Sequence, residues 1–217
     1  MFQDRHDAGR QLAALLSGFP DLAHAVVLGI TRGGVPVAYE IARAHHLPLD
    51  ILVARKLGAP GQRELAVGAV ARGVVTLNPE IVSALRLSEH SVQTAAEHAA
   101  AEIASLESLY RGSYPPIETA GRIVILVDDG LATGASMRAA ARAVRPQARQ
   151  LVVAVPVAAA CTARALEAEA DRVLCLSTPE DFEAVGQFYR DFTPTANDEV
   201  RGLLADARRH FSANPAA

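Results

Sequence analysis

Ile123-Val124-Ile125-Leu126-Val127-Asp128-Asp129-Gly130-Leu131-Ala132-Thr133-Gly134-Ala135-Ser136, followed by Met137-Arg138-Ala139-Ala140-Ala141, is the most informative stretch of this 217-residue chain. The apolar run at its start reads as a strand buried on both faces, the pattern of a parallel sheet. Asp128 and Asp129 then stand at the strand's carboxyl end, where open α/β sheets bind ligands. Thr133, Gly134, Ala135 and Ser136 form a turn of small residues that opens into helix-forming sequence. Backbone N–H groups can converge on one anion there, the two hydroxyls can donate to it, and the positive end of the helix adds its attraction. The turn holds no lysine and does not follow G-x-x-x-x-G-K-[ST], so the usual cradle of a nucleoside triphosphate is absent.

Working outward, residues 25–30 and 49–54 are short apolar runs of the same buried type, separated by helix-patterned sequence over 35–44, which makes a βαβ unit. Ala8, Leu12, Leu15 and Leu16 predict a first helix over 4–16, ended by Gly18 and Pro20. Residues 65–71 and 74–77 read as a hairpin joined at Arg72-Gly73. Further strands over 122–127, 150–157 and 172–176 alternate with helices over 136–144 and 162–170. That alternation predicts an α/β fold, a mostly parallel sheet flanked by helices, with a small hairpin beside it. Ser88 caps a helix expected to reach about Tyr110, and Val92, Ala96, Ala99, Ile103, Leu106 and Tyr110 line one face of it. Packing on the same chain and contact with a second subunit both fit that stripe. A last helix is expected over 197–210. Phe182, Phe188, Tyr189 and Phe192 gather in residues 177–192, as a stacking surface for a planar ring or as a core plug.

Composition narrows the classes. Half the residues are hydrophobic and 21% are charged, which excludes a disordered or low-complexity chain. A net charge of −3 gives no basic surplus to neutralise a nucleic-acid backbone. Cys161 and Cys175 lie in apolar contexts without metal-type spacing and read as buried free thiols of a reducing compartment. The first residues lack the apolar core of a signal peptide, and the longest apolar run, 151–161, is too short for a membrane span and contains Pro156. A soluble, cytoplasmic protein is the expectation. No H-E-x-x-H, G-x-S-x-G or G-x-G-x-x-G occurs, which removes support from zinc hydrolases, serine hydrolases and dinucleotide enzymes. Lysine and arginine together number 21, and Lys56 is the single lysine.

An apolar strand, two acidic residues and an Ala-Thr-Gly-x-Ser loop resemble the signature of the type I phosphoribosyltransferases. The resemblance implies one phosphoribosyltransferase-like domain over 1–217, with 57–112 and 177–217 supplying loop, cap and hood. It implies that Asp128 and Asp129 hold the ribose hydroxyls of phosphoribosyl pyrophosphate, and a Mg²⁺ directly or through water. Ala132, Thr133, Gly134, Ala135 and Ser136 would hold the 5′-phosphate. A strand ending in a solvated acidic turn is the alternative. Against it, two adjacent carboxylates at a strand end require a partner, and ribose hydroxyls with Mg²⁺ supply one.

Two further segments fit the same resemblance. Thr31, Arg32, Gly33 and Gly34 lead from a strand into a helix with Pro36 near its start. They are similar to the family's pyrophosphate loop, with Arg32 either adding a charged fork or lying on the surface. Arg55 and Lys56 end the second strand of the βαβ unit and resemble the Arg-Lys pair of orotate and adenine phosphoribosyltransferases. That pair leads into a polar loop that closes over the ligands, for which Arg63 and Glu64 are weaker candidates. A second lysine of those relatives is missing here. The implied reaction is transfer of a phosphoribosyl group to a nitrogenous base with loss of pyrophosphate, Asp128, Asp129 and Lys56 being the catalytic candidates. The base is not readable. Homodimers are common among relatives of this kind. A regulatory protein that binds phosphoribosyl pyrophosphate or a nucleotide without transfer, and a ribose-phosphate hydrolase, remain alternatives.

Overall fold

The computed structural model describes residues 1–59 and 62–211. In chain order the elements are α1 (Arg5–Leu16), β1 (Ala25–Ile30), α2 (Gly34–His45), β2 (Leu49–Leu52), β3 (Ala54–Ala59), β4 (Gln62–Ala71) and β5 (Val74–Leu77). These are followed by α3 (Pro79–Ala84), α4 (Glu89–Arg111), β6 (Ile123–Val127), α5 (Ala135–Val144), β7 (Gln150–Val157), α6 (Ala160–Leu166), β8 (Arg172–Ser177) and α7 (Asn197–Phe211). Five strands form a parallel sheet in the order β2-β1-β6-β7-β8, as the alternation of strands and helices predicts. The apolar runs are continuous because both faces are covered. Val27, Ile123, Ile125 and Val127 face α1, α2, α4 and α7, whereas Val26, Leu28, Val124 and Leu126 face α5 and α6.

Strand order runs one way from β1 to β2 and the other way from β1 to β6. Connections therefore diverge to opposite sides between β1 and β6, which opens a crevice beyond their carboxyl ends. The two strands pair from Ala25↔Ile123 to Gly29↔Val127, so the turns that follow them leave the sheet side by side.

A second, antiparallel sheet, β3-β4-β5, leaves the edge of the first. Here the structure corrects the expectation of a polar loop after Arg55. Residues 54–59 are a strand, paired with β4 from Ala54↔Ala71 to Ala59↔Gln62. Ala54, Leu57 and Ala59 are buried while Lys56 is exposed, an inward-outward pattern masked in the sequence by the glycines and the proline of this stretch. Pro60 and Gly61, and the side chains of Arg63 and Glu64, lie outside the described residues. The apolar run 49–54 is likewise divided, because the chain passes from one sheet to the other at Val53.

Other differences are smaller. Helix α6 runs Ala160–Leu166 rather than over 162–170. The short helix α3 has no counterpart in the sequence pattern; the Asn78 side chain caps it by accepting from the N–H groups of Glu80 and Ile81. Ala96, Ala99, Ile103 and Tyr110 of the α4 stripe are buried in the chain's own core. Cys161 is exposed and Cys175 half-buried, so neither is the fully buried thiol expected from its apolar neighbours. No helix among the described residues is long and apolar enough to cross a membrane.

One buried ion pair anchors the edge strand. Arg111, at the end of α4, places Nε 2.9 and 3.1 Å from the two oxygens of Asp50 on β2 and donates from Nη2 to the Ile51 carbonyl at 3.0 Å. The Ile117 N–H also donates to Asp50 at 3.0 Å, and the two side chains are only 5% and 1% exposed. Removing one partner strands the other charge in the core, at a cost of about 3–5 kcal/mol. Arg111→Ala is expected to lower the urea midpoint by that free energy with an unchanged slope; a loss below about 1 kcal/mol would contradict the anchoring role.

Candidate active site

Asp128 and Asp129 follow β6 directly and stand at the switch between β1 and β6. Asp128 Oδ1 accepts from the Asp129 N–H at 2.9 Å, and Asp129 Oδ2 accepts from Arg5 Nε at 2.8 Å. Among the described residues no other residue donates to the remaining oxygens, Asp128 Oδ2 and Asp129 Oδ1. Burial and the neighbouring Asp129 charge raise the pKa of Asp128 well above the carboxylate range. Burial also raises that of Asp129, against the opposing pull of Arg5. Burial thus disfavours the charged forms of both carboxyls.

The turn after β1 abuts this pair. Residues 31–34 enter α2, and the Thr31–Arg32 peptide bond is cis. A Cβ at Gly33 would lie 2.6 Å from Asp129 Cγ, and one at Gly34 would lie 2.8 Å from Asp128 Cα. Only glycine lets the start of the helix approach so closely; of the first-turn amides, that of Val35 donates to the Arg32 carbonyl at 3.1 Å. Arg32 is exposed and near enough to Tyr110 to act on its hydroxyl electrostatically.

The turn after β6 is held from below. Leu131 donates to the Val157 carbonyl at 2.9 Å, the Ala159 N–H donates to Leu131 at 3.0 Å, and the Thr162 hydroxyl donates to the Ala132 carbonyl at 2.6 Å. Gly134 has φ 68°, and a Cβ there would meet Thr162 Cγ2 at 2.6 Å. Glycine is thus required twice over, by conformation and by space. The first α5 backbone bond is Arg138 N–H to the Gly134 carbonyl, which leaves the amides of Ala135, Ser136 and Met137 without an intrahelical acceptor. Thr162, which sets this turn, was not legible, because it lies on another element with no local motif around it.

A cavity of about 780 Å³ opens in front of this turn. Asp128, Ala132, Thr133, Gly134, Ala135 and Ser136 line one side, and Lys56 lines it from the arm. Arg138 also lines it, donating to the Thr133 carbonyl at 3.0 Å. Arg55, on the other face of β3, instead lies 3.4 Å from Glu102 of α4. The structure thus brings Asp128, residues 132–136 and Lys56 around one cavity, sets Gly33 and Gly34 against the acidic pair, and turns Arg55 toward α4; Asp129 and residues 31–34 do not line that cavity.

The aromatic cluster packs on itself. Ring centroids lie 5.3 Å apart for Phe2 and Tyr189, 5.0 Å for Tyr189 and Phe192, and 5.4 Å for Phe182 and Phe188. Buried Tyr189 donates its hydroxyl to the Asp129 carbonyl at 2.6 Å. These rings support the acidic pair from behind.

A sheet of this order, with two small-residue turns and an acidic pair at its switch point, defines an open α/β domain with a crevice at the carboxyl ends of its strands. The family model described as a phosphoribosyl transferase domain matches residues 7–193, and the chain belongs to that family. A Mycobacterium tuberculosis protein named "Putative phosphoribosyl transferase Rv0571c" is 44% identical over 214 residues, 98% of this chain and 48% of that protein. The chain therefore spans about half the length of the curated relatives it matches. The crystal structure of TT1426 from Thermus thermophilus is similar at 41% identity and a TM-score of 0.81, covering 94% of this chain and 98% of that one. The AQ2163 protein of Aquifex aeolicus, at 12% identity and a TM-score of 0.52, covers 84% of this chain and 78% of its own and shares the fold.

The raised pKa of Asp128 has a stability consequence. The folded state binds its proton more tightly than the unfolded chain, so stability falls as pH rises from the ordinary carboxylate range through the raised value. Asp128→Asn is expected to raise Tm at about pH 8 by roughly 2–4 °C or more, and to lose that gain toward about pH 4. A pH-independent change, or a lower Tm at both values, would contradict it.

Proposed function

We propose that this chain transfers the 5-phosphoribosyl group of phosphoribosyl pyrophosphate to a nitrogenous base, or releases it in reverse, with Mg²⁺. The observation that carries the reading is the close approach of the turn after β1 to the acidic pair, made through Gly33 and Gly34. Amides and hydroxyls of residues 132–136 would hold the 5′-phosphate, Asp128 and Asp129 the ribose hydroxyls, and residues 31–34 the pyrophosphate. Segments 57–112 and 177–217 would act as cap and hood.

Among the described residues, no group of three or more His, Cys, Asp and Glu side chains could hold a metal ion alone. Mg²⁺ usually binds one or two carboxylates together with ligand phosphates, and Asp128 Oδ2 and Asp129 Oδ1, to which no other described residue donates, are fitting donors. Held by Asp128 and Asp129, Mg²⁺ would supply charge neutralisation for the pyrophosphate. The protein needs no covalent nucleophile for an oxocarbenium-like transition state. Its carboxylates place negative charge beside the electron-deficient sugar, its amides hold the leaving group, and the walls of the crevice limit water. Lys56 brings a cation to the cavity from a paired strand.

Pyrophosphate release is followed with Mg²⁺, phosphoribosyl pyrophosphate and a panel of purine and pyrimidine bases. Release that depends on a base is expected, and the double variant Asp128→Asn, Asp129→Asn should lose at least about a hundredfold in rate while keeping its circular dichroism. Base-independent release would indicate a hydrolase, binding without release a regulator, and an undiminished rate in the double variant would refute the assignment.

A further inference from the structure

We propose that Arg5 is a positioning residue for the acidic pair, fixing Asp129 so that its remaining oxygen is presented to the sugar. The inference rests on the reading of Asp129 as a ribose ligand. Arg5 begins α1, and its side chain is 10% exposed. Its planar group makes three contacts at once: Nε to Asp129 Oδ2 at 2.8 Å, Nη1 to the Thr193 carbonyl at 2.8 Å, and Cζ 4.0 Å above the Phe192 ring. A guanidinium suits this geometry because donors pointing in different directions and a stacking face belong to one rigid plane.

The platform beneath Arg5 joins the first residues of the chain to the segment between β8 and α7. Phe2 N–H donates to the Phe188 carbonyl at 2.8 Å, Arg190 N–H to Phe2 at 2.9 Å, and Asp191 N–H to Gln3 at 2.9 Å. Residues 2–5 and 188–193 thus form a two-part strap behind the site. The strap grips Asp129 twice, through Arg5 at the carboxylate and through the Tyr189 hydroxyl at the carbonyl. Asp128 has no comparable side-chain partner among the described residues, only the Asp129 amide. The two acids are consequently unequal: one is braced in a single orientation while its neighbour is left to the ligand. Without the brace, two adjacent carboxylates repel and Asp129 turns toward water, so the site loses its grip on the sugar and keeps its grip on phosphate.

Calorimetry with ribose 5-phosphate and with inorganic phosphate separates these effects. Arg5→Gln is expected to weaken ribose 5-phosphate about tenfold or more and to leave phosphate within about twofold, and to have no further effect on ribose 5-phosphate when Asp129→Asn is already present. A variant that keeps the wild-type preference for ribose 5-phosphate, or that weakens both probes equally, would overturn the positioning role alone. A wild-type protein that binds ribose 5-phosphate no better than phosphate would overturn the ribose reading with it. Should Arg5→Gln fail to fold, Arg5→Lys takes its place. It keeps the charge but cannot span Asp129 and the Thr193 carbonyl together, and at least about a threefold loss of the same preference is expected.

Discussion

Two adjacent carboxylates held at the end of a central strand, partly out of water, are the constraint around which the molecule is arranged. Burial disfavours the charged forms of both, the Asp129 charge adds to this at Asp128, and Arg5 offsets it in part at Asp129, so the pair costs stability in the absence of a ligand. The fold tolerates that cost because the strand beneath is fixed: Ile123 to Val127 are fully buried and paired on both sides. Stability given up at a site is a usual mark of a surface shaped for a ligand rather than for the resting protein.

The surroundings divide the electrostatics sensibly. Amide-rich helix starts flank the acids on either side, Arg5 and Tyr189 brace one acid from behind, and Lys56 and Arg138 face the cavity in front. A negative centre between positive flanks matches a sugar that carries phosphate at both ends. Arg142 also reaches the cavity lining, but its guanidinium is held by Glu169 and so contributes structure more than charge. The antiparallel arm supplies the opposing wall, which the parallel sheet alone does not provide.

Much of this was legible because it is local. The apolar runs of β1, β6 and β7, the paired aspartates and the small-residue turns are contiguous patterns, and each reflects a short-range requirement such as burial on both faces or close backbone approach. What escaped depends on distant partners. Arg5 and Asp129 are 124 positions apart, and one arginine among many carries no signal of where it will point. Thr162 lies 30 positions from the carbonyl it steadies. The strand character of β3 was concealed by glycine and proline, residues whose local preference is overridden by pairing with β4. The aromatic cluster was visible as composition, but whether it faced a ligand or itself was a question of packing.

The most direct test is a crystal structure of the protein with Mg²⁺ and phosphoribosyl pyrophosphate. The 5′-phosphate is expected on the amides of residues 132–136, the ribose hydroxyls on Asp128 and Asp129, and the pyrophosphate against residues 31–34. A ligand bound with its sugar away from the two aspartates, or with both of its phosphate ends outside these turns, would contradict it.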